Sequence, residues 1–285
     1  MRLFFSPNCD YEGGICYSNP RMRTILILSF VFVCLAFGGC SAENADNKAT
    51  ASPTPLAKPP GTPEPVLVEL FTSEGCGNCP PADAQLAFLD STQPVQGAEV
   101  ITLGFHVDYF NDRGWKDEFS SPVFTDRQNK YSRRLNLDSI YTPQMIVDGQ
   151  AQFVGSDGRK AADVISKAAI PPKGNVDLEL NEQRLEVNVQ NISKHEAATV
   201  YLAATEDNIV SNVKAGNNSG KILKHASVVR GFAEITALTS GQSGLKTSVD
   251  LKIDPKWKKE NTRYVVFVQE NESGRIIAVG RTKTK

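Results

Sequence analysis

The sequence is poor in cysteine and histidine and carries almost no net charge, and each shortage removes a class of function. Its six cysteines stand at positions 9, 16, 34, 40, 76 and 79, and none follows. A chain this long with so few is not a disulfide scaffold. The three histidines, His106, His195 and His225, are far apart, so a closed zinc site finds no second C-x-x-C or close His pair to complete it. Lys and Arg total 31 against 32 Asp and Glu, a formal net charge of -1. That balance gives no global field for nucleic acid or an anionic membrane surface, and no nucleic-acid partner is expected. There is no G-x-S-x-G elbow and no H-E-x-x-H helix, while GNNSGK at 216–221 is one residue short of a phosphate loop and lacks the following Ser or Thr. What remains is a globular composition, 285 residues with 40% hydrophobic, enough for one large or two modest domains.

The N-terminal region has its own logic. Residues 25–37, ILILSFVFVCLAF, are too short for an ordinary membrane span of about 20 residues but suit the core of a signal peptide. Met22-Arg23 directly before this run makes Met22 the expected true start. Phe37-Gly38-Gly39-Cys40 followed by Ser41 resembles the lipobox of bacterial lipoproteins, which implies lipidation at Cys40; an ordinary secretory signal cut nearby is the alternative. With Ser41 next to the anchor, that resemblance implies the periplasmic side of an outer membrane. Residues 41–65 hold six of the sixteen prolines and read as an extended tether that could reach roughly 75 Å. A signal region over 1–40 and a disordered tether over 41–65 therefore precede the folded part.

From Val66 the composition changes. VLVELF reads as a buried strand, and Cys76-Gly77-Asn78-Cys79-Pro80-Pro81 follows it. Two prolines cost little in a first helical turn, so a helix starts near Cys79, with Ala82, Leu86 and Leu89 toward a core. A thiolate is the reactive form of cysteine, and a helix N-terminus favours the anion. An exposed Cys76 would be the nucleophile and Cys79 the resolving residue. A permanent disulfide, half a zinc site or two unrelated thiols are the alternatives. Downstream, Ala98 to Val107 reads as a central strand, and Ser121-Pro122 caps a helix carrying Phe124, Tyr131 and Leu135 on one face. Asp148-Gly149 marks a two-residue hairpin, and a last helix runs over about 158–169 before Pro171-Pro172.

This order resembles thioredoxin, and the resemblance implies a cis-proline at Pro143, with Thr142 before it, positioning an extended partner segment. The motifs VELFTSEGCGNCPPAD, FHVDYFNDRGWKDEFSSPVFTDRQNKY and YTPQMIVDG followed by FVGSD are similar to those of an uncharacterised family of bacterial secreted, thioredoxin-like proteins. That family implies a fold but no assigned reaction. On the thioredoxin resemblance, Glu69 corresponds to a buried acid that moves protons during exchange, although its spacing to the first cysteine is one residue longer; an ordinary, partly exposed carboxylate is the alternative. Glu74 and Asp83 flank the pair, and their charge opposes thiolate formation. His106 follows a central strand, where α/β sheets often present functional groups. Cys76, Cys79 and His106 would make a soft Cu(I) set; otherwise no cofactor is implied.

After Pro171-Pro172 the apolar period becomes two: Val176, Leu178, Leu180, then Leu185, Val187, Val189, and again near 200, 250, 265 and 277. An antiparallel sandwich of roughly seven strands is expected, with HASVVRGF at 225–232 marking contact with the first domain. The expected architecture is an α/β thioredoxin-like domain with a helical insertion over 66–172, followed by an all-β sandwich-like domain over 173–285. The expected function is exported thiol-disulfide exchange with protein thiols or disulfides as partners and a lipid anchor in the membrane. Copper delivery or a non-enzymatic structural role is the alternative.

Overall fold

Val66, Leu67, Val68, Leu70 and Phe71 are all fully buried, as a run with β-branched and large apolar side chains on both faces requires of an interior strand. The computed structural model describes residues 61–282, together with the backbone of two short antiparallel strands, β1 (Asp10–Glu12) and β2 (Ile15–Tyr17). The remainder of the signal region 1–40, with Met22 and Cys40, and the tether up to residue 60 lie outside the described residues.

The apolar run is β3 (Glu64–Thr72), which starts two residues earlier than its composition signals. It is followed by α1 (Pro80–Thr92), β4 (Ala98–His106), α2 (Pro122–Arg134), β5 (Gln144–Val147), β6 (Ala151–Val154) and α3 (Gly158–Ala168). α1 begins at Pro80, with Cys79 as its N-cap residue. The Ser121 side chain caps α2 by accepting the Val123 N–H, and Pro122 takes the first helical position, where a missing N–H costs nothing. The β5–β6 hairpin turns on Asp148 (φ 47°) and Gly149 (φ 68°). Its loop includes Gln150, whose N–H returns to the Val147 carbonyl, so it has three residues instead of the two expected.

Nine strands follow: β7 (Asn175–Asn181), β8 (Arg184–Gln190), β9 (Ala198–Glu206), β10 (Ile209–Asn212), β11 (Ile222–His225), β12 (Val228–Leu238), β13 (Leu245–Asp250), β14 (Thr262–Glu270) and β15 (Ile276–Arg281). They do not build a separate sandwich. Eight strands form one mixed sheet in the order β15-β14-β9-β12-β4-β3-β5-β6, which crosses the expected boundary at 172/173. The expected thioredoxin α/β domain followed by an independent sandwich is therefore incorrect: the chain is mostly β, with three α-helices among the described residues. The join is the parallel pairing of Val228 with Gly104, inside the segment read as a contact. A three-stranded sheet, β13-β8-β7, covers one face of the C-terminal half, burying Leu185, Val187 and Val189 against Val200, Leu202 and Val266.

The other face shows why the halves cannot separate. Leu67, Phe71, Leu103 and Phe105 share one core with Tyr201, Phe232, Val265 and Phe267, and α2 adds Phe124 and Tyr131. An edge-on ring pair joins the halves directly, Phe105 on Phe232 at 5.4 Å, and Phe232 in turn stacks on Tyr201 within the C-terminal half. The sheet curls enough for its ends to meet: the Ile276 N–H donates to the Asp148 carbonyl at 3.1 Å. Gly149 lies so close to Gly274 that a Cβ there would fall 2.0 Å from the Gly274 oxygen.

Candidate functional site

The alternation of β3 sorts its side chains between two cores. Residues 66, 68 and 70 face α1 and α3, whereas 67 and 71 face α2. Thr72 is therefore on the α1 face, paired in register with His106 of β4, and the chain turns there into the cysteine loop. Cys76 and Cys79 are joined as a disulfide with Cα atoms 5.4 Å apart. The Thr142-Pro143 peptide is cis. Gln144 pairs with Phe71 at the same end of the sheet, and Met145 and Val147 belong to the α1-facing core, which puts Pro143 at the cysteine end and on that face.

Two features differ from the expected nucleophile. Pro80 and Pro81 have no N–H, and the N–H groups of Ala82 and Asp83 both go to the Cys79 carbonyl. The helix start thus offers Cys76 a dipole but no spare donor in its first turn. Cys76 is also only 3% exposed and Cys79 not at all, where an exposed first sulfur was expected. The cover comes from the C-terminal half. A 3-10 turn at Gly216–Asn218, between β10 and β11, lies on the cysteine loop. The Asn218 side-chain amide donates to the carbonyls of Glu74 (2.8 Å) and Cys76 (2.9 Å), and that of Asn217 to Gly75 (3.2 Å). GNNSGK is thus a brace for the cysteine loop.

Beneath the loop lies a buried ionisable cluster. Asp117 Oδ2 is 2.7 Å from His106 Nδ1 and accepts the Glu74 N–H at 2.8 Å. Glu74 accepts from Trp115 Nε1 (2.7 Å) and lies 3.2 Å from His225 Nε2. Asp83, one helical turn past Cys79, accepts from the Thr72 hydroxyl at 2.8 Å. Its other oxygen is 3.9 Å from His225 Nδ1, and neither of those two buried atoms has a hydrogen-bond partner. The protonation pattern follows. Burial raises the Asp83 carboxyl, and the opposing charges of His225 and His106 with the Thr72 bond only partly offset it. Burial would also raise Glu74 and Asp117, but hydrogen bonds from His225, Ser211 and Trp115 hold Glu74 low, and the charge and hydrogen bond of His106 hold Asp117 low. Burial depresses His106, but Asp117 outweighs it and the imidazole ends above its ordinary value.

Of the expected site residues, Cys76, Cys79, Thr142, Pro143 and His106 come together at this end of the sheet. Glu69 does not. As an odd-numbered residue of β3 it points away from α1, fully buried, into an ion pair with Arg127 (2.5 Å) and a hydrogen bond from the Tyr131 hydroxyl. Neither the expected proton carrier beside the cysteines nor the partly exposed carboxylate is found. For the Cu(I) set, the sulfurs are bonded to each other and His106 Nδ1 is engaged by Asp117. Among the described residues no group of three His, Cys, Asp or Glu is arranged to hold a metal ion. Asp83 flanks the pair as expected, but its burial was not foreseen, although Cys79, Ala82, Asp83 and Leu86 fall on one helical stripe. His225 begins the segment expected to contact the first domain, with no sign that it would meet Glu74 and Asp83; Asp117 and Asn218 carried no signal for the site.

A family described as proteins of unknown function, DUF1223, matches residues 67–269. Among solved structures, protein AGR_C_4864 from Agrobacterium tumefaciens is 25% identical, covering 77% of this chain and 94% of its own, with a TM-score of 0.62. HBP35 of Porphyromonas gingivalis is 15% identical over 78% of this chain and 75% of its own, with a TM-score of 0.56. No curated protein matches.

Proposed function

The chain belongs to the DUF1223 family of proteins of unknown function, and from that footing we propose that it is an exported thiol-disulfide oxidoreductase. The observation that carries this reading is the position of the Cys76–Cys79 disulfide: at a helix start, at the end of parallel strands, on the same face as Thr142-Pro143 and above Asp83 and His225. This arrangement resembles the redox site of thioredoxin. Written in the reducing direction, the Cys76 thiolate attacks a partner disulfide, forms a mixed disulfide and expels one partner thiolate, which takes a proton. Cys79 then gives up its proton and attacks the Cys76 sulfur, releasing the second partner thiol. Two electrons pass from the dithiol to the partner and the Cys76–Cys79 bond reforms. Asp83 is the acceptor for the Cys79 proton, because burial has raised its carboxyl and one oxygen is unpartnered. Thr142-Pro143 lines the partner's path, and the Asn217-Asn218 turn must yield for the partner to reach Cys76. The negative groups around the pair, together with the missing helix-start donors, favour a weakly acidic Cys76 and hence a reductant over a strong oxidant.

Export and lipid anchoring through Cys40 belong to the same proposal. They are supported by the apolar run at 25–37 and the lipobox-like residues 37–41. The test is a Cys79→Ser chain expressed in the native host, with recovery of whatever remains covalently attached to Cys76. A captured protein, released by reductant and absent from a Cys76→Ser control, together with a potential of about -120 to -270 mV, is expected. An empty trap with a potential below about -300 mV would make the bond structural and end the proposal.

A further inference from the structure

Away from the cysteines, α3, the β5–β6 hairpin, the connection into β7 and the start of β15 enclose a cavity of about 460 Å³, within the range of small-molecule sites. Its apolar lining includes Val147, Val164, Ala168, Ile276 and Ile277. Lys173 and Asp148 also line it, as a buried ion pair at 2.8 Å. Among its other charged lining residues, Lys167 is cancelled by Asp163 at 2.8 Å and Arg275 is held by Glu270 at 2.9 Å. Lys160 and Lys194 line it too, both exposed, and neither makes an ion pair among the described residues. The site thus combines apolar walls with an excess of two positive charges, contributed by Lys160 of α3, which also acts at a distance on Asp163, and Lys194 of the β8–β9 connection. A neutral apolar molecule would leave the cations unused, and a cation would be repelled. An inorganic anion would leave the walls uncovered.

We propose that this cavity binds an amphipathic monoanion, an aliphatic chain bearing one carboxylate, with the chain against Val147, Val164 and Ile277 and the head between Lys160 and Lys194. The site requires nothing of the cysteines and stands whether or not they exchange disulfides.

The probe is dodecanoate below its micelle concentration, titrated calorimetrically into the purified chain at low salt, with dodecanol and dodecyltrimethylammonium as comparisons. Saturable one-to-one binding is expected, at least tenfold tighter for dodecanoate than for either comparison. The double variant Lys160→Glu, Lys194→Glu should weaken dodecanoate at least tenfold. Ser193→Trp, an exposed change at a lining residue, should block it, and both variants should melt as the wild type does. Absence of saturable dodecanoate binding, equal affinity for dodecanol, or a double variant that binds like the wild type each overturns the proposal.

Discussion

Two buried polar clusters stand back to back on β3, one on each face, and they are built in opposite ways. On the α2 face Glu69 receives Arg127 and Tyr131, while Gln269 of β14 bonds both of those side chains. The Arg127 guanidinium lies 4.9 to 5.6 Å from the ring centres of Phe105, Tyr131, Tyr201, Phe232 and Phe267. None of these four polar side chains leaves a buried atom unpaired. On the α1 face Asp83 and His225 each leave one, in a space with no room for a water between them. An unmet buried group costs about 1–3 kcal/mol. The first cluster spans both halves of the sheet and holds them in register; the second keeps proton-accepting capacity one helical turn from a sulfur. Completeness of pairing separates a group that fixes geometry from one that can still react.

The comparison breaks most visibly at Arg127. Arg127→Met leaves Glu69 buried without its cation, a loss of about 3–5 kcal/mol. In urea unfolding this appears as a lower midpoint with an unchanged slope, while the reduction potential of Cys76–Cys79 should stay where it was. A potential that moves with Arg127→Met would show that the two faces are coupled.

Much of this site was readable in the residues, and the limits have physical causes. Pro80-Pro81 after Cys79 placed the helix start and Ser121-Pro122 placed the next, because each signal is local; the cis-proline at Pro143 came from the resemblance to thioredoxin. The continuous sheet was not readable. Period-two patterning reports that a strand has a buried face but not which neighbour lies at its edge, and the join between halves is a single residue pair, Val228 with Gly104. Glu69 was misplaced by the resemblance, which made it a neighbour of the cysteines despite a spacing one residue longer, whereas strand alternation turned the side chain to the other face. Asn218 was unreadable because a side-chain amide that bonds carbonyls 142 and 144 residues away leaves no trace in its own surroundings.

A smaller loss is expected at that amide. Asn218→Ala removes two hydrogen bonds to buried carbonyls of the cysteine loop, at about 0.5–1.5 kcal/mol each, so a loss of roughly 1–3 kcal/mol should appear in thermal unfolding. If the turn screens Cys76, reduction of the disulfide by dithiothreitol should at the same time become severalfold faster. A stability loss without faster reduction would leave the turn a brace and nothing more.

The smallest effect on stability, and the sharpest separation of the clusters, is expected from Asp83→Asn. Because burial holds the Asp83 carboxyl above its ordinary 3.8, the folded chain binds that proton more tightly than the unfolded one. Its contribution is complete below 3.8 and is lost as pH rises through the folded value. An asparagine does not titrate, so the variant should gain stability relative to the wild type on going from pH 3 to pH 7. Exchange should slow by about tenfold or more as the proton acceptor for Cys79 is removed. Reduction by a small dithiol and chemical denaturation at several pH values read the two quantities separately. Parallel pH-stability curves with undiminished exchange would put Asp83 in the same class as Glu69, a carboxylate whose work ends with the fold.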